Sequence, residues 1–315
     1  MKKKIKVSSV FQYLFLGIAS FFSIFPFYWL VVGSTNNTTD ILGGNLSVGK
    51  MFFENYNNLI KFGGFERAFF NTLKITIIYL VLTLLITSLA AYGFDKFKSV
   101  KTEIIYKIFL LSMMVPFAAM MIPLFRIMVK LSLIDSLLAV ILPGLSSVFL
   151  IFFFRQSLKS FPTQIIESAR IDGASELIIF FRIVLPPMKP TLAAAAIYAF
   201  MTQWNNYMWP LIVLRTNESK TLTLTLSSMS SAYFVDYGML MLAIVISTIP
   251  MIIIFFSMQK SFVQGMTGSC KLLKLAKLEQ YFRFLGMVFN HPFIRDSCRV
   301  VYNSLFNILN TYFFS

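Results

Sequence analysis

Thiol and imidazole groups are nearly missing from this chain. Its 315 residues include two cysteines and one histidine, and all three (Cys270, His291 and Cys298) lie near the C-terminal end. The rest of the chain therefore lacks the side chains that make most zinc sites and the commonest general bases. The spacing of the three late residues does not match a zinc site either, so no metal site is expected. Charge is scarce as well: 13% of residues are charged, against roughly 25% in a soluble globular domain. Carboxylates are the scarcer sign, 13 Asp and Glu against 28 Lys and Arg, for a net charge of +15. No paired carboxylates sit at the ends of the apolar runs, which speaks against a polytopic membrane enzyme.

What is present is apolar. The chain is 57% hydrophobic and 17% aromatic, with a mean hydropathy of +0.74. Uninterrupted apolar runs of about 18 residues or more recur, each long enough to cross a bilayer as a helix. The fold class is all-α, a polytopic membrane protein, since barrels show short alternating segments instead. Six transmembrane helices are expected, over about 10–33, 71–93, 104–128, 136–154, 191–214 and 237–258. The opening Lys2-Lys3-Lys4 resembles that of a signal peptide, but the apolar run continues through FFSIFPFYWLVV, which favours an uncleaved first span. Basic residues are scattered through short inter-span loops and form no clustered patch, so they read as topology determinants and not as a nucleic-acid surface. Lys2 to Lys6, Lys96, Lys98, Lys101, Arg155, Lys159, Arg170, Arg182, Lys189 and Lys260 fall on one side, against fewer on the other. This bias predicts an N-in/C-in orientation.

Ionisable residues are nearly absent from the central turns of the spans. A charge there is costly and usually marks an ion or proton path, so its absence speaks against a carrier driven through buried carboxylates. Prolines do occur at membrane depth, at Pro26, Pro116, Pro123, Pro143, Pro210 and Pro250. Each reads equally well as a simple kink or as a break that lines a cavity.

Between the fourth and fifth runs lies ESARIDGASELIIFFRIVLPPMKP, residues 167–190, placed on the cytoplasmic side by the charge bias. Pro162 suits the first turn of a helix, with Ser160 as its cap, and residues 163–170 read as helical. Asp172-Gly173 interrupts that helix, since glycine tolerates positive φ. Leu177, Phe180, Phe181 and Val184 then recur at helical spacing until Pro186, Pro187 and Pro190. On physical grounds a helix lying on lipid headgroups and a protein-docking element fit equally. In the second case Glu167 would face a basic partner group, and Gly173 and Ala174 would permit close approach.

The pattern E-S-A-R-I-D-G-A, followed by Phe180, Ile183, Leu185-Pro186 and Pro190, resembles the EAA loop of ATP-binding-cassette (ABC) importer permeases. Ser168 stands where the family pattern has alanine. QWNNYMWPLIVL (203–214) and YGMLMLAIVISTIPMIIIFFSMQKSFVQGMTG (237–268) resemble the maltose-type, carbohydrate-uptake branch, and the likeness covers about residues 1–268. It implies the type I ABC importer permease fold, with Glu167, Ser168, Ala169, Asp172, Gly173 and Ala174 docking onto a cytoplasmic ATPase. The chain has no Gly-x-x-x-x-Gly-Lys-Ser/Thr phosphate loop. ATP and magnesium are therefore expected on a partner ATPase dimer, with no cofactor bound here. Further partners implied are a second homologous permease, an extracytoplasmic solute-binding protein and membrane lipid, in a bacterial plasma membrane.

Gln203, Trp204, Asn205, Asn206 and Tyr207 form the most polar-aromatic passage inside any run. Aromatic faces and amides suit a sugar path, while an interfacial belt with interhelical amide bonds is the competing reading. The expected organisation is a first helix and extracytoplasmic loop at 1–69 and a core permease domain at 70–268 with its coupling loop at 156–190. The atypical tail, 269–315, reads as a surface helix, a partner-binding extension or, preferred, non-family sequence appended by frameshift or read-through. The function expected is permeation of a sugar or oligosaccharide. The alternatives are an ABC permease for an amino acid, phosphate or polyamine, or, more remotely, a membrane enzyme, channel or secondary carrier.

Overall fold

The computed structural model describes residues 7–259, with side-chain environments from residue 13. The tail at 269–315, with Cys270, His291 and Cys298, and the stretch 260–268 lie outside the described residues. Every regular element among the described residues is helical. In chain order these are α1 (Val7–Gly33), α2 (Thr38–Leu42), α3 (Phe52–Phe62), α4 (Phe65–Lys96), α5 (Val100–Ser112), α6 (Phe117–Lys130) and α7 (Leu137–Ile141). After a 3-10 turn at Leu142–Gly144 come α8 (Val148–Leu158), α9 (Thr163–Ile171) and α10 (Glu176–Ile178), which runs into a π-helical segment at Ile179–Val184. A second 3-10 turn, Pro186–Met188, leads to α11 (Lys189–Trp204), α12 (Met208–Val213), α13 (Leu222–Ser230) and α14 (Tyr237–Gln259).

The central helix is α4, and its two faces are inverted relative to a soluble helix. Its buried positions are Phe65, Ala68, Thr72, Ile75, Thr76, Tyr79, Thr83, Thr87, Ser88, Ala91, Tyr92 and Asp95, mostly small or polar and recurring about every four residues. Ile77, Ile78, Val81, Leu82, Leu85 and Ile86 point outward. Small residues let helix backbones approach closely where lipid offers no hydrophobic drive for association. α11 presents Ala193, Ala194, Ala195, Ala196 and Ala199 to the interior in the same way, and α4 packs against both α8 and α11. Thr83 Oγ1 ties α4 to the following layer through the Leu145 carbonyl at 2.9 Å.

Three helices, Tyr13–Gly33, Phe65–Lys96 and Tyr237–Gln259, are long and apolar enough to cross a membrane, and there are six such segments if each bent pair counts as one. The bends refine the sequence reading. The run at 104–128 is two helices, α5 and α6, meeting at 106°. Pro116 lacks an N–H and drives the residue before it out of the helical region, so α5 ends at Ser112 and α6 starts afresh. The run at 136–154 bends by 42° beyond Pro143 and extends to Leu158. That at 191–214 breaks at Asn205–Tyr207, between α11 and α12.

Candidate coupling turn and translocation cluster

α9 begins with Pro162 at the capping position in extended conformation, not inside the first turn. Ser160 does not cap it: its hydroxyl donates to the Ser157 carbonyl at 2.7 Å, at the end of α8. The C-terminal end of α9 is closed by its own backbone. The Ala174 N–H donates to the Ala169 carbonyl at 3.0 Å and the Gly173 N–H to the Arg170 carbonyl at 3.0 Å, with Gly173 at φ +79°. This is a Schellman closure, in which a left-handed residue lets two otherwise unpaired carbonyls be satisfied. Glu167, Ser168, Asp172 and Gly173 are exposed along this arm, whereas Ala169 and Ile166 face inward. Of the six docking residues expected, four therefore share the open surface. Ala174 is half-buried, and Ala169 packs into the core.

The arm beyond the turn buries only part of the apolar set that the sequence groups together. Ile179, Phe180, Val184 and Met188 are buried while Leu177 and Phe181 face outward. Phe181 lies within the π segment, where the Leu185 N–H reaches back five residues to the Phe180 carbonyl at 2.8 Å. Pro186 and Pro187 have no N–H with which to continue an α ladder.

Around the turn lie groups that local sequence patterns do not join. Arg170 Nε donates to Glu176 Oε1 at 2.6 Å, and Tyr92 Oη, on α4, donates to Glu176 Oε2 at 2.7 Å. The Arg170 guanidinium beside it holds the Glu176 carboxyl below its ordinary range. A cleft of about 250 Å³ separates α9 from the end of α4, lined by Asp95, Lys96, Lys98, Thr163, Glu167 and Arg170. Asp95 is buried and paired with Lys96 at 2.8 Å. Nearby, Arg155 of α8 is almost fully buried, pairs with Glu103 of α5, and lies 3.9 Å from the centre of the Tyr106 ring. Arg155 and Glu103 lie 52 residues apart along the chain and Tyr92 and Glu176 lie 84 apart, so only three-dimensional placement brings these two pairs together.

The structure divides the polar-aromatic cluster. Gln203 and Trp204 are buried. Trp204 stacks on Phe200 at 5.3 Å, meets Phe69 edge-on at 5.8 Å, and donates through Nε1 to the Ser247 carbonyl at 3.2 Å. Its ring and its donor are thus engaged in joining α11, α4 and α14. Asn205 and Tyr207 are exposed at the helix break. The Asn206 carbonyl accepts from Thr223 Oγ1 at 2.9 Å, and Tyr207 Oη lies 3.2 Å from Ser227 Oγ. The five residues therefore do not share one surface. A cavity of about 910 Å³ lies instead near the N-terminal end of α4, lined by residues such as Phe70, Asn71, Lys74, Asn217, Lys220 and Ser228. Asn71 Nδ2 donates there to the Glu218 and Lys220 carbonyls at 2.8 and 3.1 Å.

The family described as "Binding-protein-dependent transport system inner membrane component" matches residues 84–268, a stretch that holds the coupling turn, α11 and α14. The chain belongs to this family. It is similar to the lactose transport system permease protein LacG of Rhizobium radiobacter, 46% identical over 266 residues, covering 84% of this chain and 97% of that one. It is also similar to the arabinooligosaccharides transport system permease protein AraQ of Bacillus subtilis, 41% identical over 259 residues, 81% of this chain and 92% of that one. The sn-glycerol-3-phosphate transport system permease protein UgpE of Rhizobium meliloti is 28% identical over 284 residues, 86% and 100% of the two chains. Among solved structures, a bacterial ABC transporter involved in the import of the acidic polysaccharide alginate matches with a TM-score of 0.75 at 23% identity. That match covers 83% of this chain and 99% of that one, and it supports the fold.

Proposed function

We propose that this chain is a transmembrane permease subunit of an ABC importer, translocating a sugar or oligosaccharide handed over by an extracytoplasmic binding protein. The observation that carries the reading is the exposed Glu167–Gly173 turn on a chain of this family. Relatives named for lactose and arabinooligosaccharides at 46% and 41% identity favour a saccharide as cargo. The relative named for glycerol-3-phosphate supports a second reading, a non-sugar solute such as a phosphate-bearing one.

In this reading the six apolar segments are six spans with both ends inside, in a bacterial plasma membrane. The turn at 167–174 docks on an ATPase dimer that binds ATP and magnesium, a second homologous permease completes the pore, and no cofactor resides on this chain. Residues 70–268 form the working core. Glu167 meets a basic group of the ATPase, and Gly173 keeps the turn tight against it. Asn205 and Tyr207, exposed at the α11–α12 break, are the members of the 203–207 cluster open to cargo, while Trp204 holds the helices that frame them and Gln203 is buried. Chemistry stays on the ATPase, so the chain contributes binding, coupling and a path.

The test is uptake of labelled lactose, an arabinooligosaccharide and glycerol-3-phosphate by proteoliposomes holding the assembled transporter, its binding protein outside and ATP inside. ATP-dependent uptake of a saccharide is expected. Uptake of glycerol-3-phosphate alone favours the second reading, and no ATP dependence with any solute contradicts both.

A further inference from the structure

We infer that Arg170, Glu176 and Tyr92 form a clasp that delivers movement of the coupling turn directly to α4, a positioning role that rests on the proposed function. The two oxygens of one carboxylate serve two directions. Glu176 Oε1 holds the α9 arm through Arg170 Nε at 2.6 Å, and Oε2 holds α4 through Tyr92 Oη at 2.7 Å. Arg170 and Glu176 flank Gly173, so their bond closes the turn across its open side. The guanidinium also lies 5.5 Å from the centre of the Phe97 ring, just past the end of α4. Tyr92 is in turn held between Phe180 at 5.4 Å and Phe97 at 6.2 Å.

Stability alone is a poor account of this arrangement. Both side chains of the ion pair are 38% exposed, and exposed pairs contribute little to stability after solvent screening. What the clasp supplies is position: the planar guanidinium and the phenol fix the carboxylate between them. The alternative route for motion runs along the chain from the turn to α11. It crosses the π segment at Ile179–Val184 and the 3-10 turn at Pro186–Met188, segments of the kind that act as hinges. α4 packs along α8 and α11, so a rigid link from the turn to α4 reaches the packed core without passing through those hinges. Coupling between distant sites needs such a contiguous physical connection.

The test compares E176Q, Y92F, R170E and the exchange R170E/E176R in the assembled transporter. The readouts are solute transported per ATP hydrolysed, permease abundance in the membrane, and ATPase co-purification. The single variants are expected to lower the transport-to-hydrolysis ratio by about twofold to thirtyfold, the range of such coupling energies, with abundance and co-purification at the parent level. The exchange, which restores the pair across the turn, is expected to recover part of the ratio. An unchanged ratio in E176Q and Y92F overturns the inference, as does a loss of transport that only follows lost abundance. Y92F keeps the ion pair and the ring packing, so it reports even where E176Q fails to assemble. A second readout needs no cargo: spin labels at I171C and K98C, in a C270S/C298S background, measure the distance from the turn to the link just past the end of α4. A distribution that broadens in Y92F and E176Q supports the clasp, and unchanged width overturns it. Absence of saccharide uptake by the parent transporter would instead count against the proposed cargo alone.

Discussion

Gly173 sits at φ +79° with open space where a Cβ would stand, so a substitution there costs backbone strain and not collision. For an L-residue that strain is about 1–2 kcal/mol, and Gly173→Asp also adds a charge to the docking surface. Gly173→Asp is expected to cut uptake at least tenfold with membrane abundance near the parent level, while Gly173→Asn, a residue that tolerates this region, keeps more of it. Immunoblotting alongside uptake separates the two effects. Asp135 gives a second prediction at this scale. Its carboxylate accepts from Ser219 Oγ, from the Arg215 N–H at 2.8 Å and from the Thr216 N–H at 3.2 Å, and these donors hold its pKa well below the usual carboxylate range. A group depressed in the folded state stabilises above its unfolded pKa of about 3.9 and loses that contribution as pH falls through the folded value. Asp135→Ala is therefore expected to lower the thermal midpoint by the same amount at pH 7 and pH 5.5. A deficit that vanishes between those values contradicts the anchor. At this scale the sequence made the glycine turn legible, because Asp-Gly between helical runs is a local signal. It did not show the Tyr92–Glu176 bond, which joins residues 84 positions apart. It also grouped Leu177 and Phe181 with the buried Phe180 and Val184, although both face outward; Phe181 lies in a π segment that α periodicity does not anticipate.

Helix interfaces here depend on small residues, and Gly238 is one case where the close neighbour is backbone. A Cβ at this first turn of α14 would come within 2.5 Å of the Asn36 carbonyl oxygen and 2.6 Å of Asn55 Oδ1. Asn55 is itself committed, donating to the Ser34 and Asn36 carbonyls at 3.0 Å each. The backbone acceptor cannot yield as a flexible side chain would, so Gly238→Ala is expected to cost about 1–3 kcal/mol, as overpacking does. A lower unfolding temperature of the purified protein in detergent is the expected result. Lengths of apolar runs made the elements legible, since a bilayer imposes a minimum on each. The bends were less so. Pro116 signalled a kink or a break equally, and the 106° angle between α5 and α6 follows from packing of both halves that no local pattern records. The 203–207 cluster was legible as unusual but not as divided, because whether Trp204 faces a path or Phe69 and Ser247 depends on which helices lie beside it.

Across the whole molecule, α4 connects the two regions of interest. Asn71, beside the 910 Å³ cavity, and Asp95, beside the coupling cleft, are 24 residues apart on one helix, about 36 Å at 1.5 Å per residue. That is roughly the thickness of a bilayer core, so the cavity and the turn fall on opposite sides if α4 spans it. In a C270S/C298S background, V48C is expected to react with a membrane-impermeant maleimide on intact cells and I171C only after permeabilisation, since both positions are strongly exposed. The reverse pattern contradicts the proposed orientation. The central claim is that this chain takes its energy from a separate ATPase through the turn around Glu167. Its most direct measurement is ATP-driven uptake and ATPase co-purification for E167K beside the parent transporter. Normal insertion, weakened ATPase retention and uptake reduced at least tenfold are expected, whereas parental uptake with parental ATPase retention would contradict energy transfer through this turn.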